Sequence, residues 1–587
     1  MRILGVHTGI DASACLLDDG VLRYAIQEER FSGRKNHIGL PKRSIAKILE
    51  MAKLTIDQID EVALATNYDL VSPGEEGHNA ATWKVRRLVQ WKLKPLYILW
   101  EDIVPELKDR APDLFLSVTQ AQRERRTAWL RSQTGYMGPV SIVDHHLCHA
   151  ASGYYSSPWR DEPVLVMSKD GSGDGLCATV SIGENGQLRR IAKTKHTHSL
   201  GYLFTSVTHW MGFKAHEEEY KMAGMAPHAN PKYGEPVYKQ FSDLIGVEGL
   251  QFKRKVFEPL ANPYVQPHLR RIFERQRFDN IAWGIEKLTE ELMTTWTENA
   301  VRRTGLHKIT GGGGVYMNVA TNKLIRELPG VEGFFPMPTA GDTTTSIGAA
   351  YAVYAQRMKE EGSEVSIQPL GSLYLGDNFT DRDVERAIQH GPWAEADEAP
   401  PFDAQRSPNA DALVADLILK GEIVTRVRGP MEFGARALGN RSILCDARDL
   451  RSVGIINRMI KSRAFWMPFA PVIMEDRADE VVKLPEYAPY MTRTFDTTPL
   501  GRKHLLAAMH QADFTVRPQI LRESWNPSYY SILRAFERET GCGGMLNTSA
   551  NIHGEPIVHG PGEAMRMFLR SGLRYLVLGD YLLEKKK

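Results

Sequence analysis

The 587-residue sequence has few cysteines, no Cys-x-x-Cys pair, no apolar run of membrane-spanning length and almost no net charge. Its five cysteines (Cys15, Cys148, Cys177, Cys445 and Cys542) are odd in number and scattered, which argues against a zinc ribbon and for a reducing compartment. The start, Met1-Arg2-Ile3-Leu4-Gly5-Val6, enters a strand at once without a signal-peptide pattern, so a cytoplasmic protein with no membrane partner is expected. A formal net charge of +2 gives no sign of the concentrated basic face that phosphate backbones require, so no nucleic-acid partner is expected either. With 42% hydrophobic and 25% charged residues the composition is that of ordinary globular domains. The length suggests about three or four folding units.

What is present starts with Asp144-His145-His146-Leu147-Cys148-His149. His145 and His149 are four apart, share one helix face and can hold one divalent metal. The preceding Val140–Val143 reads as a short buried strand, so the pair opens a helix just after a strand, where α/β proteins place their chemistry. For an isolated pair, capping or packing histidines are an equally good reading.

An internal repeat surrounds it. Strands over 3–6, 15–17 and 21–26, with an Asp-Gly turn, recur as 164–167, 177–182 and 188–192 with an Asn-Gly turn. Each unit carries an Asp among small residues in its first loop: Asp11-Ala12-Ser13 and Asp170-Gly171-Ser172-Gly173. Small residues let backbone N–H groups approach phosphate, and an Asp can hold a metal or a water, so two related lobes converging on one cleft are expected.

Residues 82–132 read as an inserted helical segment mixing Trp83, Trp91, Tyr97, Trp100 and Phe115 with lysines and arginines, taken as a lid or acceptor-binding surface. A helix over 199–213 precedes Glu217-Glu218-Glu219-Tyr220-Lys221, which is either a solvated turn or a site where Lys221 meets phosphate and Glu218 the reacting centre. An amphipathic core helix spans 281–303. The strand 308–310 then leads into Gly311-Gly312-Gly313-Gly314, a run that predicts close backbone approach to nucleotide phosphates at a helix N-terminus, without the Walker spacing. Asp342 lies in a loop opening a further helix.

The second half begins with a polar, Pro-rich bridge containing a short strand, Ser372–Leu375, and a helix near 381–389. A helix over 410–420 and a strand over 423–427 precede Arg428 to Ser442, where Arg436 and Arg441 stand among glycines and form an anion pocket. Lys461-Ser462-Arg463 and Thr548-Ser549-Ala550-Asn551 follow.

Taken together, the His-x3-His helix, the Asp-Gly-Ser-Gly loop, the glycine run ending in Asn318, Gly341-Asp342, Met431 to Ser442, Lys-x-Arg and Ser-x-Asn resemble the O-carbamoyltransferases of antibiotic and nodulation-factor biosynthesis. The resemblance implies an α/β and α+β chain: an actin/Hsp70-like duplicated domain over 1–362 with a helical insertion at 68–135, a bridge over 363–408 and a YrdC-like domain over 409–587. It implies an ATP-dependent enzyme that makes carbamoyl-adenylate from carbamoyl phosphate and ATP, the ATP bound with Mg2+, then transfers the carbamoyl group to a hydroxyl of a small natural-product acceptor. By position, metal ligands would be His145, His149, Asp170 and Asp342, holding Fe2+ or a similar ion. Carbamoyl phosphate would meet Arg436, Arg441, Lys461 and Arg463; the nucleotide would meet Lys221, Gly224, Gly312, Gly313, Asn318, Ser549 and Asn551; and Asp11, Glu218, Arg436 and Lys461 would be catalytic. One departure concerns the family's histidine before the first-loop Asp, which is Ile10 here, with His7 nearby; the general base is therefore open. A homodimer is left open as well. Hydrogenase-maturation carbamoyltransferases share both domains in the opposite order with zinc fingers, which the missing Cys-x-x-Cys disfavours; an ATP-driven chaperone or sensor would need none of the paired motifs.

Overall fold

The computed structural model describes residues 1–67, 113–261, 264–390 and 401–586. The chain forms two units, one of Met1–Glu28 with Asn36–Leu370 and one of Glu29–Lys35 with Gly371–Lys587.

The first unit is built from two five-stranded sheets. In one, β1 (Arg2–His7), β2 (Ser13–Asp18) and β3 (Val21–Gln27) form an antiparallel meander, and β4 (Glu61–Ala65) and β5 (Val140–Val143) continue it in parallel from β1, giving the order β3-β2-β1-β4-β5. In the other, β6 (Val164–Gly173), β7 (Leu176–Glu184) and β8 (Gln187–Lys195) form the meander, after which comes a separate hairpin, β9 (Ile245–Glu248) with β10 (Gln251–Arg254). The strands β11 (Lys308–Gly312) and β12 (Gly333–Pro336) extend β6 in parallel, giving β8-β7-β6-β11-β12. The two orders are the same, which is the duplicated actin/Hsp70-like α/β arrangement. Local chemistry explains the matching turns: Asp19-Gly20 (φ 46° and 74°) and Asn185-Gly186 (φ 49° and 69°) both sit in left-handed backbone, the pair that tight hairpins favour. The long helix Phe278–Thr304 buries Ile285, Leu288, Leu292, Trp296 and Ala300 and stops at Gly305, which is left-handed at φ 69°.

Several local expectations change. The Asp170-Gly171-Ser172-Gly173 stretch is the far end of β6, because pairing with β7 resumes at Gly173. The glycine run opens first into a 3-10 turn, Gly314–Met317, and the helix Val319–Arg326 starts only after Asn318. Ser372–Leu375 is not a strand: Leu375 N–H turns back to Leu373 O at 2.8 Å, too tight for a ladder. Of the expected insertion, residues 68–112 with their aromatic and basic side chains lie outside the described residues, and Asp113–Thr134 is a helix.

The second unit is an eight-stranded mixed sheet ordered β13-β22-β21-β14-β15-β20-β16-β19, where β13 is Phe402–Arg406, β14 Val424–Val427, β15 Arg441–Cys445, β16 Ala470–Met474, β19 Gln519–Leu521, β20 Gly544–Ser549, β21 Tyr575–Leu578 and β22 Tyr581–Lys585. A small pair, β17 (Phe495–Asp496) with β18 (Thr515–Val516), stands apart. Successive residues of the central strands feed different cores: Ile443, Ile473 and Leu576 join Phe568 on one side, while Leu444, Val472 and Val577 join Ile418 and Phe536 on the other. Burial on both faces explains why these strands read as continuous apolar runs. Glu29–Lys35 belongs to this unit through Arg30, which is 3% exposed and donates to the carbonyls of Gly434 and Ile557.

Candidate functional site

In the first unit, the Asp144 carboxylate caps the helix His145–Ser156 by accepting Leu147 N–H at 2.8 Å. That start places His145 and His149 one turn apart, fully buried, with their Nε2 atoms 3.1 Å from each other. Asp170, near the end of β6, and Asp342, opening the turn Asp342–Thr344, complete the group. His145 Nε2 lies 3.5 Å from Asp170 Oδ2 and 3.6 Å from Asp342 Oδ1, and His149 Nε2 lies 3.5 Å from Asp342 Oδ1. One donor atom from each of the four residues falls within 4.8 Å of all the others. Donors about 2.1 Å from a shared ion in a tetrahedron stand roughly 3.4 Å apart, so these separations fit a divalent metal.

Two of the atoms turned away from that point are tied down, whereas His149 Nδ1 is enclosed without a hydrogen-bond partner. His145 Nδ1 pairs with Thr66 Oγ1 at 3.1 Å, which leaves Nε2 to face the carboxylates, and Asp170 Oδ1 accepts Gly314 N–H at 2.7 Å, which leaves Oδ2. Asp174 accepts His145 N–H at 2.8 Å together with the backbone and side-chain N–H groups of Asn67, all at 3.0 Å. Burial alone would raise the Asp170 carboxyl; the His145 hydrogen bond and the charge of His149 hold it far below the carboxylate range. Burial opposes protonation of His145, but Asp342 and Asp170 lift its pKa to about 9. These are the shifts of donors that attract a cation.

The glycines have a packing cause. A Cβ on Gly312 would meet His149 O at 2.6 Å, one on Gly313 (φ 101°) Lys169 O at 2.4 Å, and one on Gly348 Cys148 O at 1.8 Å. The small residues allow the histidine helix and β6 to sit against β11.

The other expected residues of this unit stand outside the four-residue group. Asp11 sits in left-handed backbone at φ 61° and its carbonyl accepts from Thr343 Oγ1. Glu218 and Lys221 form an ion pair at 2.5 Å, and Glu218 also accepts Lys214 N–H at 2.9 Å. Gly224 lies on the short helix Glu219–Met225. Asn318 caps its helix through Oδ1 and donates through Nδ2 to Glu286 Oε1 at 2.7 Å, engaging both ends of its amide. Sequence reasoning gave no role to His7. It ends β1, is 2% exposed and touches Ile10 O at 3.0 Å through Nε2; burial, resisted by Asp342 and assisted by His145, lowers its pKa to about 4. The signal available was a histidine closing a buried strand just ahead of the Ile10 departure.

In the second unit, Lys461 is 2% exposed and its Nζ donates to Ser549 O (2.5 Å), Ser549 Oγ (3.1 Å), Asn551 O (3.2 Å) and Asn551 Oδ1 (2.6 Å). Lys-x-Arg and Ser-x-Asn are therefore joined through one ammonium. Burial, then the charges of Arg463 and Lys35, push the Lys461 pKa well down, and no carboxylate contributes. Arg436 and Arg463 both act on Arg517, a residue the sequence did not single out. Arg441 is placed differently: Nε donates to His559 O at 2.8 Å and Nη1 to the carbonyls of Gly429 and Asn440, both at 2.9 Å, so its guanidinium pins the loop. Glu432 Oε1 holds the same loop by accepting N–H of Leu438, Asn440 and Arg441.

Family models match both parts of the chain: carbamoyltransferase N-terminus over residues 2–351 and carbamoyltransferase C-terminus over residues 415–585. The chain belongs to the carbamoyltransferase family. Among its relatives, nodulation protein NolNO of Sinorhizobium fredii is 28% identical, the match covering 98% of this carbamoyltransferase and 79% of the relative. An uncharacterized protein of Synechocystis sp., sll1178, is 29% identical over 100% of this chain and 97% of its own. Among solved structures, component A of the (R)-2-hydroxyglutaryl-CoA dehydratase of Acidaminococcus fermentans matches 60% of this chain and 97% of its own at 14% identity and a TM-score of 0.32. At that score the fold rests on the repeated sheet order. No helix among the described residues of this carbamoyltransferase is long and apolar enough to cross a membrane.

Proposed function

We propose that this carbamoyltransferase works in two steps: it forms carbamoyl-adenylate from carbamoyl phosphate and ATP in the C-terminal unit, here read as YrdC-like, and transfers the carbamoyl group to an acceptor hydroxyl in the N-terminal unit. The observation that carries this reading is the segregation of charge, with His145, His149, Asp170 and Asp342 gathered in one unit and Lys461, Arg463, Arg436 and Arg517 in the other.

In the C-terminal unit Arg436, Arg463 and Lys461 bind the phosphate groups, and Ser549 and Asn551 hold the ammonium of Lys461 against the nucleotide. Water first cleaves carbamoyl phosphate to carbamate and phosphate, and a carbamate oxygen then attacks the α-phosphorus of ATP, forming the adenylate as the bond to pyrophosphate breaks. In the N-terminal unit the four donors hold a divalent ion, Fe2+ among the candidates, whose chemistry when bound is Lewis-acid polarisation of a carbonyl oxygen. Thr66 fixes the His145 tautomer and Gly314 N–H orients Asp170, so the donors keep their places through turnover. Gly312 and Gly313 would border the AMP part. Mg2+ accompanies ATP. The acceptor is a small hydroxylated molecule, in keeping with relatives named for nodulation. The test is mass spectrometry of reactions holding ATP, carbamoyl phosphate and a panel of hydroxylated glycosides and polyketides. An O-carbamate formed with stoichiometric AMP supports the reading, and transfer without AMP refutes it.

A further inference from the structure

Three parallel strands of the first sheet end side by side. Val6 of β1 lies beside Leu64 of β4, and Leu64 lies beside Ile142 of β5. At those ends stand His7, which closes β1, then Thr66, which holds His145 Nδ1, and the histidine helix itself. His7 is thus on the carboxyl edge of the sheet that carries the four-donor group, the edge where open α/β sheets receive ligands.

The ladder sets which way the side chain leaves the sheet. Alternate residues of a strand share a face, and so do residues directly opposite in an antiparallel pair. Gly5 shares the face of His7, and a Cβ there would run into Ser346 O. Ser13, opposite His7, donates through Oγ to Thr343 O at 2.7 Å and lies 2.9 Å from Ser346 Oγ. His7 therefore leaves the sheet on the side of the turn that Asp342 opens. Its ring folds back over Gly9, where a Cβ would lie 2.9 Å from Cε1 and Nε2, and Nε2 lies 3.0 Å from Ile10 O. A carbonyl oxygen only accepts, so Nε2 carries the ring proton. In an imidazole this buried, kept neutral by desolvation, Nδ1 is then a bare acceptor. Nδ1 is enclosed without a hydrogen-bond partner, and His7 gives no atom to the four-donor group. A buried acceptor without a donor is costly to keep, and a bound hydroxyl would supply the donor.

We infer that His7 is the base of the transfer step: the acceptor's hydroxyl donates to His7 Nδ1, which takes the proton as the hydroxyl oxygen bonds to the carbamoyl carbon. The bond from that carbon to the phosphate oxygen of the adenylate breaks, and AMP leaves with the electron pair. The imidazolium keeps its Nε2–H on Ile10 O and gives the Nδ1 proton to solvent after the product departs. The inference rests on the proposed transfer to a hydroxyl. The full chain and its His7→Gln variant, whose amide still offers an N–H to Ile10 O, are to be given ATP and carbamoyl phosphate with glycosides bearing alkyl hydroxyls or with polyketides bearing phenols. Pyrophosphate release and metal content are measured alongside. Both should stay at the wild-type level, while carbamoylation of alkyl hydroxyls should fall about a hundredfold or more. Phenols part with their proton more readily and should lose much less. Equal losses on the two acceptor sets, with or without loss of metal, or no loss on either, would overturn the inference. Failure of the wild type to release pyrophosphate would sink the two-step reading, while the contrast between alkyl hydroxyls and phenols would still decide the role of His7.

Discussion

In the N-terminal unit two carboxylates face two imidazoles whose Nε2 atoms are 3.1 Å apart, while in the C-terminal unit Lys461 and Arg517 feel only other cations. Both groups are enclosed, so both are strongly perturbed, but in opposite senses. The first set gains from a positive charge at its centre and fixes His145 and Asp170 through their far atoms. The second gains from a negative charge, because burial and neighbouring cations press on Lys461 and Arg517. Burial amplifies either preference, because a low local dielectric strengthens pairing and penalises its lack. The first arrangement suits a cation and the second an anion, the pair of sites that the proposed two-step transfer calls for.

The largest effect should come from the cation side. Replacing His149 by Ala should cut acceptor carbamoylation about a thousandfold, the several kcal/mol that such charge stabilisation supplies. Metal analysis of the purified variant should show the accompanying loss. A variant that retains its metal and its transfer rate would remove the contrast between the units.

Next is packing. Gly348→Ala would drive a Cβ to 1.8 Å from Cys148 O, between the two histidines, and should destabilise the N-terminal unit by about 3 kcal/mol in denaturant unfolding. A smaller effect is expected at Asp174, which holds His145 N–H and Asn67: Asp174→Asn should weaken metal affinity roughly tenfold to a hundredfold by competition with a chelator, with adenylate formation unaffected.

The smallest concerns Glu286, lifted by burial and by Glu290 from its ordinary 4.5 to about 8. A folded-state pKa above the unfolded one means that its stabilising contribution is complete below the unfolded value and is lost as pH rises through about 8. Glu286→Gln keeps an acceptor for Asn318 and lacks that loss. Its melting-temperature gain over wild type should therefore grow from about pH 5.5 to about pH 8.5, and a constant difference would contradict the assignment.

Much of this was legible in the chain. The repeated meanders follow from apolar runs punctuated by Asp-Gly and Asn-Gly, and the His145 and His149 pair follows from its four-residue spacing, whereas Asp170 and Asp342 joined it as ligands through the family resemblance. What was not legible depended on long-range packing. Nothing local to the glycine run reveals that His149 O and Lys169 O come so close to Gly312 and Gly313. Arg436 and Arg441 looked equivalent among glycines, yet Arg441 Nε and Nη1 donate to the carbonyls of His559, far along the chain, and Gly429. His7 was visible, but its nearness to Asp342 and His145 depends on segments far along the chain.

The most direct measurement follows both half-reactions in wild type, His149→Ala and Arg436→Ala, by quantifying pyrophosphate from ATP plus carbamoyl phosphate and carbamate transfer to an acceptor. The division of labour predicts that His149→Ala still releases pyrophosphate but transfers nothing, and that Arg436→Ala releases none. Loss of pyrophosphate release in His149→Ala, or its persistence in Arg436→Ala, would contradict the assignment of activation to the C-terminal unit and transfer to the N-terminal one.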